Sequence, residues 1–78
     1  MPSDTSPDGL VDRLRAVGAN IRAAREAQKL SLEDLGRATG LGPSRIDQVE
    51  RGVDDMSLDD LLLISYVLDV ALAELVAD

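Results

Sequence analysis

The stretch Ser31–Gly52 reads SLEDLGRATGLGPSRIDQVERG. Ser31 fits a helix N-cap, because its hydroxyl can accept from the unpaired N–H groups of a first turn, and Glu33 and Asp34 complement the positive end of a helix dipole. Asp34 is shorter than the glutamate that usually completes a capping box, so only part of that motif is expected. Leu35 and Ala38 fall on the inward side of a short helix, and Gly40 supplies the left-handed residue that stops it after Thr39. Leu41 fills the space between this helix and the next. Gly42 is a weak N-cap, while Pro43 suits the first helical position, where a missing N–H costs nothing. Ile46 and Val49 point inward, and Gly52 ends the second helix. Two short helices joined by a tight glycine turn form a helix-turn-helix.

Upstream, Leu10, Leu14, Val17, Ile21, Ala24 and Gln28 recur at intervals of three and four, which marks one face of a helix with Asp8 as its N-cap. Gly18 lies in its middle and costs about 1 kcal/mol relative to alanine. A glycine kept there points either to close approach of another backbone or to simple tolerance. Residues 1–9, rich in Pro, Ser and Asp, are expected to form a flexible arm. Downstream, Val53–Met56 forms a loop. Ser57 caps a helix with Asp59 and Asp60 in its first turn, a dipole-complementing pair rather than a catalytic dyad. Leu58, Leu61, Ile64, Ser65 and Leu68 form its buried stripe, and a break near Asp69–Val70 precedes a last helix, Leu72–Ala77. The expectation is an all-α domain over residues 10–78, with helices near 10–28, 32–39, 43–51, 58–68 and 72–77.

A chain of 78 residues builds one small core, and it has no cysteine and no histidine. Disulfides are excluded and tetrahedral zinc sites disfavoured, which leaves oligomerisation as the way to supplement the core. No apolar run approaches the roughly 20 residues of a membrane span, and the polar, acidic N-terminus does not resemble a secretory signal. A cytoplasmic protein without membrane contact is expected. There is no phosphate-cradling glycine loop and no histidine or cysteine for nucleophilic or acid–base work, so neither an enzyme nor a cofactor is expected.

The formal charge of −7 would by itself argue against nucleic acid. Its distribution argues otherwise. Residues 13–53 hold all eight basic side chains against five acids, a net +3, whereas residues 1–12 carry −3 and residues 54–78 carry −7. Cationic charge is concentrated on the helix-turn-helix half, and local potential governs an encounter with phosphates.

These residues resemble the Cro/C1-type, XRE-like helix-turn-helix family, the fold of lambdoid phage repressors and many bacterial regulators. The similarity covers roughly Gly18–Val76 and rests on the entry GANIRAAREAQKLS, the turn LGRATGL, the third helix RIDQVERG and the close LLLISYVLDVALAEL. It implies that Pro43, Ser44, Asp47 and Gln48 face base edges in the major groove, with Gln48 able to pair bidentately with adenine. It places Arg51 against the DNA backbone, and it makes Arg25 and Glu50 an ion pair that holds the recognition helix on the first helix. Helical geometry alone reaches a coarser version: residues 44, 47, 48 and 51 share the polar face opposite Ile46 and Val49, and Arg37 and Arg45 flank it within reach of phosphates.

The chain departs from the family pattern at several positions. Leu32 stands where a phosphate-touching glutamine is usual, Gly36 where a small alanine is usual, and Gly42 where a Ser or Thr cap is usual. Asp54 and Asp55 occupy a loop that is often basic. The family commonly places lysine or other polar residues at positions 63 and 66, where this chain has Leu63 and Tyr66. With Leu62 these can form an outward patch for self-association or for a protein partner. The expected function is a sequence-specific regulator of transcription, a repressor, that binds double-stranded DNA as a homodimer with helix 43–51 in the major groove. The alternative is an acidic helix-turn-helix module, antitoxin-like or adaptor, that engages proteins and binds DNA weakly.

Overall fold

The computed structural model describes residues 7–77, and among these the backbone forms five helices and no strand: α1 (Pro7–Ala27), α2 (Leu32–Thr39), α3 (Pro43–Glu50), α4 (Leu58–Leu68) and α5 (Leu72–Leu75). Residues 1–6 of the expected arm lie outside the described residues. Residues 7–9 do not belong to an arm: α1 starts at Pro7, three residues before the expected start, so Asp8 is inside the helix rather than its cap. Proline at a first helical position sacrifices no hydrogen bond, which permits the earlier start.

α2 has both halves of the capping box. Ser31 Oγ accepts from Asp34 N at 2.9 Å, and Asp34 Oδ2 accepts from Ser31 N at 3.0 Å, so the shorter acid suffices and the partial motif expected from sequence is complete. The backbone hydrogen bond from Ser31 is the main reason that the Asp34 carboxyl is held below its ordinary pKa. Gly40 ends α2 in the left-handed conformation, φ 75°. α3 opens on Pro43 and stops at Glu50, with Arg51 as C-cap. α4 is capped by Ser57, whose hydroxyl accepts from Asp60 N, and closes on Asp69 in a left-handed conformation. α5 is a single turn ending at Leu75, two residues short of the expected Ala77.

The core draws on every helix and on one loop: Ile21, Leu35, Ile46, Val49, Met56, Ile64, Leu68 and Leu75. Val17, Ala24, Leu30, Leu41 and Leu61 pack around it. Four positions expected on inward faces are exposed instead, Gln28 just past α1 among them. Leu10 lies near the start of α1, short of the core, and Ala38 is on the outer side of α2, where Thr39 and Gly36 are buried in its place. Leu58 opens α4 on its outward side and is exposed. A three–four periodicity fixes a helix face but not where that face runs off the end of the core.

Two side-chain amides of α1 tie down the C-terminal half. Asn20 Nδ2 donates to Leu75 O at 3.0 Å and to Ala77 O at 2.7 Å, and Gln28 Nε2 donates to Leu68 O at 3.1 Å. Leu68 O and Leu75 O are carbonyls that the ends of α4 and α5 leave without an intrahelical partner, and Ala77 O lies just beyond α5.

Candidate nucleic-acid interface

α3 is mounted through its backbone. Gly36 of α2 lies so close to the start of α3 that a Cβ there would fall 2.5 Å from Gly42 C and from Pro43 N. Gly18 of α1 lies under the other end, where a Cβ would fall 2.6 Å from Glu50 O. Of the two readings of Gly18, close approach is the one realised. At Gly36, where the family usually has alanine, an alanine would not fit without movement. The turn between α2 and α3 is fixed by Thr39, whose Oγ1 donates to Leu35 O at 2.8 Å and accepts from Leu41 N at 3.3 Å, and by Gly42 N donating to Gly36 O at 3.1 Å.

The C-terminal end of α3 is also held by charge. Arg25 Nε donates to Glu50 Oε2 at 2.7 Å and Arg25 Nη2 to Glu50 Oε1 at 3.0 Å, a two-pronged pair. Arg25 Nη1 donates to Leu30 O at 2.8 Å, so one guanidinium fixes α1, the α1–α2 connection and α3 together. Hydrogen bonding to Glu50 is the main cause of the upward shift of the Arg25 pKa.

This mounting leaves Pro43, Ser44 and Gln48 exposed and Asp47 half-buried, on the side of α3 opposite buried Ile46 and Val49. Ser44, Asp47, Gln48 and Arg51 form one polar row. Its ends carry hydrogen-bond donors and acceptors of the kind that read base edges. Within the row, Arg51 Nη1 donates to Asp47 Oδ2 at 3.2 Å.

The cations expected to meet phosphates do not stand alone. Arg37 Nη2 lies 3.4 Å from Asp34 Oδ1 at the surface. Arg45 turns toward the α3–α4 loop: its Nε lies 2.7 Å from Asp54 Oδ2, an ionic contact without hydrogen-bond alignment. Its Nη2 donates to Asp55 O at 3.2 Å and lies 3.9 Å from Asp60 Oδ2. Asp54 and Asp60 as partners of Arg45 were missed in the sequence. Asp54 is nine residues further along the chain and across a loop, and no local spacing announces the contact.

Leu62, Leu63 and Tyr66 are all exposed, Tyr66 at 84 %, and Leu58 extends the patch at 61 % exposure along the same side of α4. Among the described residues no helix is long and apolar enough to cross a membrane.

Residues 21–75 match the model of the helix-turn-helix family HTH_3. The chain belongs to this family. It is 44 % identical over 50 residues to the uncharacterized HTH-type transcriptional regulator y4dL of Sinorhizobium fredii, a match that covers 64 % of this chain and 26 % of that protein. The chain thus spans about a quarter of that relative's length. Among solved structures it superposes on the restriction-modification controller protein C.AhdI from Aeromonas hydrophila with TM-score 0.77 and 37 % identity, over 80 % of this chain and 94 % of that one. It superposes on the clp gene regulator ClgR from Corynebacterium glutamicum with TM-score 0.77 and 26 % identity, over 80 % of this chain and 66 % of that one.

Proposed function

We propose that this chain is a sequence-specific DNA-binding regulator of transcription, acting in the cytoplasm as a repressor, and that α3 is its recognition helix. The observation that carries this reading is the row Ser44, Asp47, Gln48 and Arg51, solvent-facing on a helix whose other side is locked to α1 and α2 by Gly18, Gly36 and the Arg25–Glu50 pair. Groove reading needs such a combination, because hydrogen bonds to base edges are selective only when the donors and acceptors are held in register. Pro43, Ser44, Asp47 and Gln48 face bases, and Arg37, Arg45 and Arg51 reach the backbone. The similarity to a restriction-modification controller and to a gene regulator supports the reading. Binding, without catalysis or cofactor, is the activity assigned.

A homodimer completes this reading. The patch of Leu58, Leu62, Leu63 and Tyr66 offers a second copy an apolar surface on α4, and a two-fold pair of recognition helices would address two half-sites about one helical turn apart.

Selection from a pool of random duplexes tests the proposal. The wild type enriches a two-fold motif, and Gln48→Ala relaxes preference at one position per half-site by about 1–3 kcal/mol. Folded protein that shows no salt-sensitive binding at about 50 mM salt would overturn it. The alternative, an acidic module that engages proteins, is favoured by the acids around Arg45 and by the same exposed patch. It predicts that failure of DNA binding.

A further inference from the structure

Arg45 is drawn away from the outward row by three oxygens of the segment that follows α3. Asp54 Oδ2 lies 2.7 Å from Nε, Asp55 O accepts from Nη2 at 3.2 Å, and Asp60 Oδ2 lies 3.9 Å from Nη2. A guanidinium grips a carboxylate and a phosphate through the same N–H edge and at similar distances, so the two anions compete for it. The pair is half-exposed, Arg45 at 37 % and Asp54 at 36 %, and although Nε itself is buried its contact with Asp54 is not aligned as a hydrogen bond, so the attraction to be broken is weak.

We propose that Asp54 is an internal stand-in for phosphate, holding Arg45 and so setting the electrostatic part of the affinity for DNA. This rests on the DNA-binding reading. It accounts for an acid in the loop beside the recognition helix: the carboxylate is a competitor for one named cation, not a diffuse repulsion. Engaging a phosphate through Arg45 requires Asp54 to be displaced, so each DNA encounter gains less from charge alone. Ser44 and Gln48, which carry no charge, are untouched by the exchange. Asp54 therefore changes affinity without changing which sequence is preferred.

The test uses the full chain and a labelled duplex of mixed sequence, with binding followed by fluorescence anisotropy over a range of salt concentrations. Asp54→Asn, and Asp54→Ser as a second neutral variant, raise affinity about two- to fivefold. They also steepen the slope of log K against log salt by up to about 0.9, the increment for one added phosphate contact. Combined with Arg45→Gln, Asp54→Asn gives no gain, because the competitor has lost what it competes for. Thermal melts followed by circular dichroism establish that each variant is folded. A gain that persists undiminished in the Arg45→Gln background overturns the proposal in favour of through-space repulsion. Absence of any gain while the wild type binds overturns it and leaves the DNA reading standing. Absence of binding by all variants at low salt, with fold intact, overturns both.

Discussion

Arg25 and Glu50 join α1 to α3 through two parallel hydrogen bonds, at 2.7 and 3.0 Å, with side chains only 11 % and 5 % exposed. Removing one partner strands the other in a nearly dry place, which is where ion pairs are expensive to break. Glu50→Ala should cost about 3 kcal/mol in urea unfolding, at the lower end for a buried pair because Arg25 keeps some solvent and the Leu30 carbonyl. The double replacement Arg25→Met with Glu50→Leu should cost less than either single truncation, since no uncompensated charge is left. Equal or greater loss in the double variant would show that the pair contributes attraction beyond mutual neutralisation.

Gly18→Ala and Gly36→Ala should both destabilise, against the helix propensity scale, which favours alanine by about 1 kcal/mol. The added methyl would meet backbone of the opposing helix end, Glu50 O in one case and Gly42 and Pro43 in the other, rather than a flexible side chain. A loss of about 1–3 kcal/mol is expected from overpacking of this kind. An increase in melting temperature for either variant would show that the helices can part without cost.

Acid should weaken the start of α2. The Asp34 carboxyl is held below its ordinary value of 3.8 chiefly by the hydrogen bond it accepts from Ser31 N. A carboxyl whose pKa is depressed by folding contributes stability that is fully present above the unfolded value and fades as pH falls through the folded one. The pH dependence of unfolding between about pH 5 and pH 2 should therefore be shallower in Asp34→Asn than in the wild type. An unchanged profile would mean that the capping box does not titrate with folding.

Leu63→Ser with Tyr66→Ser should convert a dimer to a monomer in sedimentation equilibrium without loss of helicity, because both residues lie outside the core. A wild type that is monomeric at high concentration would remove the interface assigned to α4.

The helix-turn-helix was legible from residues whose local chemistry is decisive. Ser31, Gly40, Pro43 and Ser57 each mark a helix end through a backbone need that few residue types meet, and α2, α4 and the start of α3 fall where those residues put them. Arg25 and Glu50 were legible only through resemblance, since they are 25 residues apart in the chain. What depended on tertiary placement was misread or missed. Leu10, Ala38 and Leu58 have the apolar character of core residues, but the core ends before it reaches Leu10, and Ala38 and Leu58 lie on the outward sides of α2 and α4. Asp54 is plain in the sequence as an acid in the loop after α3, yet its contact with Arg45 depends on how the loop returns toward α4, which no periodicity encodes.

Because α3 is fixed by backbone contact at Gly18 and Gly36, its position owes little to the side chains that it shows to solvent. Ser44 and Gln48 can be exchanged without moving the helix, whereas changes at Gly18 or Gly36 would shift every outward residue together. The address and the mount are thus encoded at separate positions. Substitutions can rewrite the first while keeping the second, and on the proposed DNA-binding reading one scaffold would be turned toward a new operator by a few changes that leave its stability almost as it was.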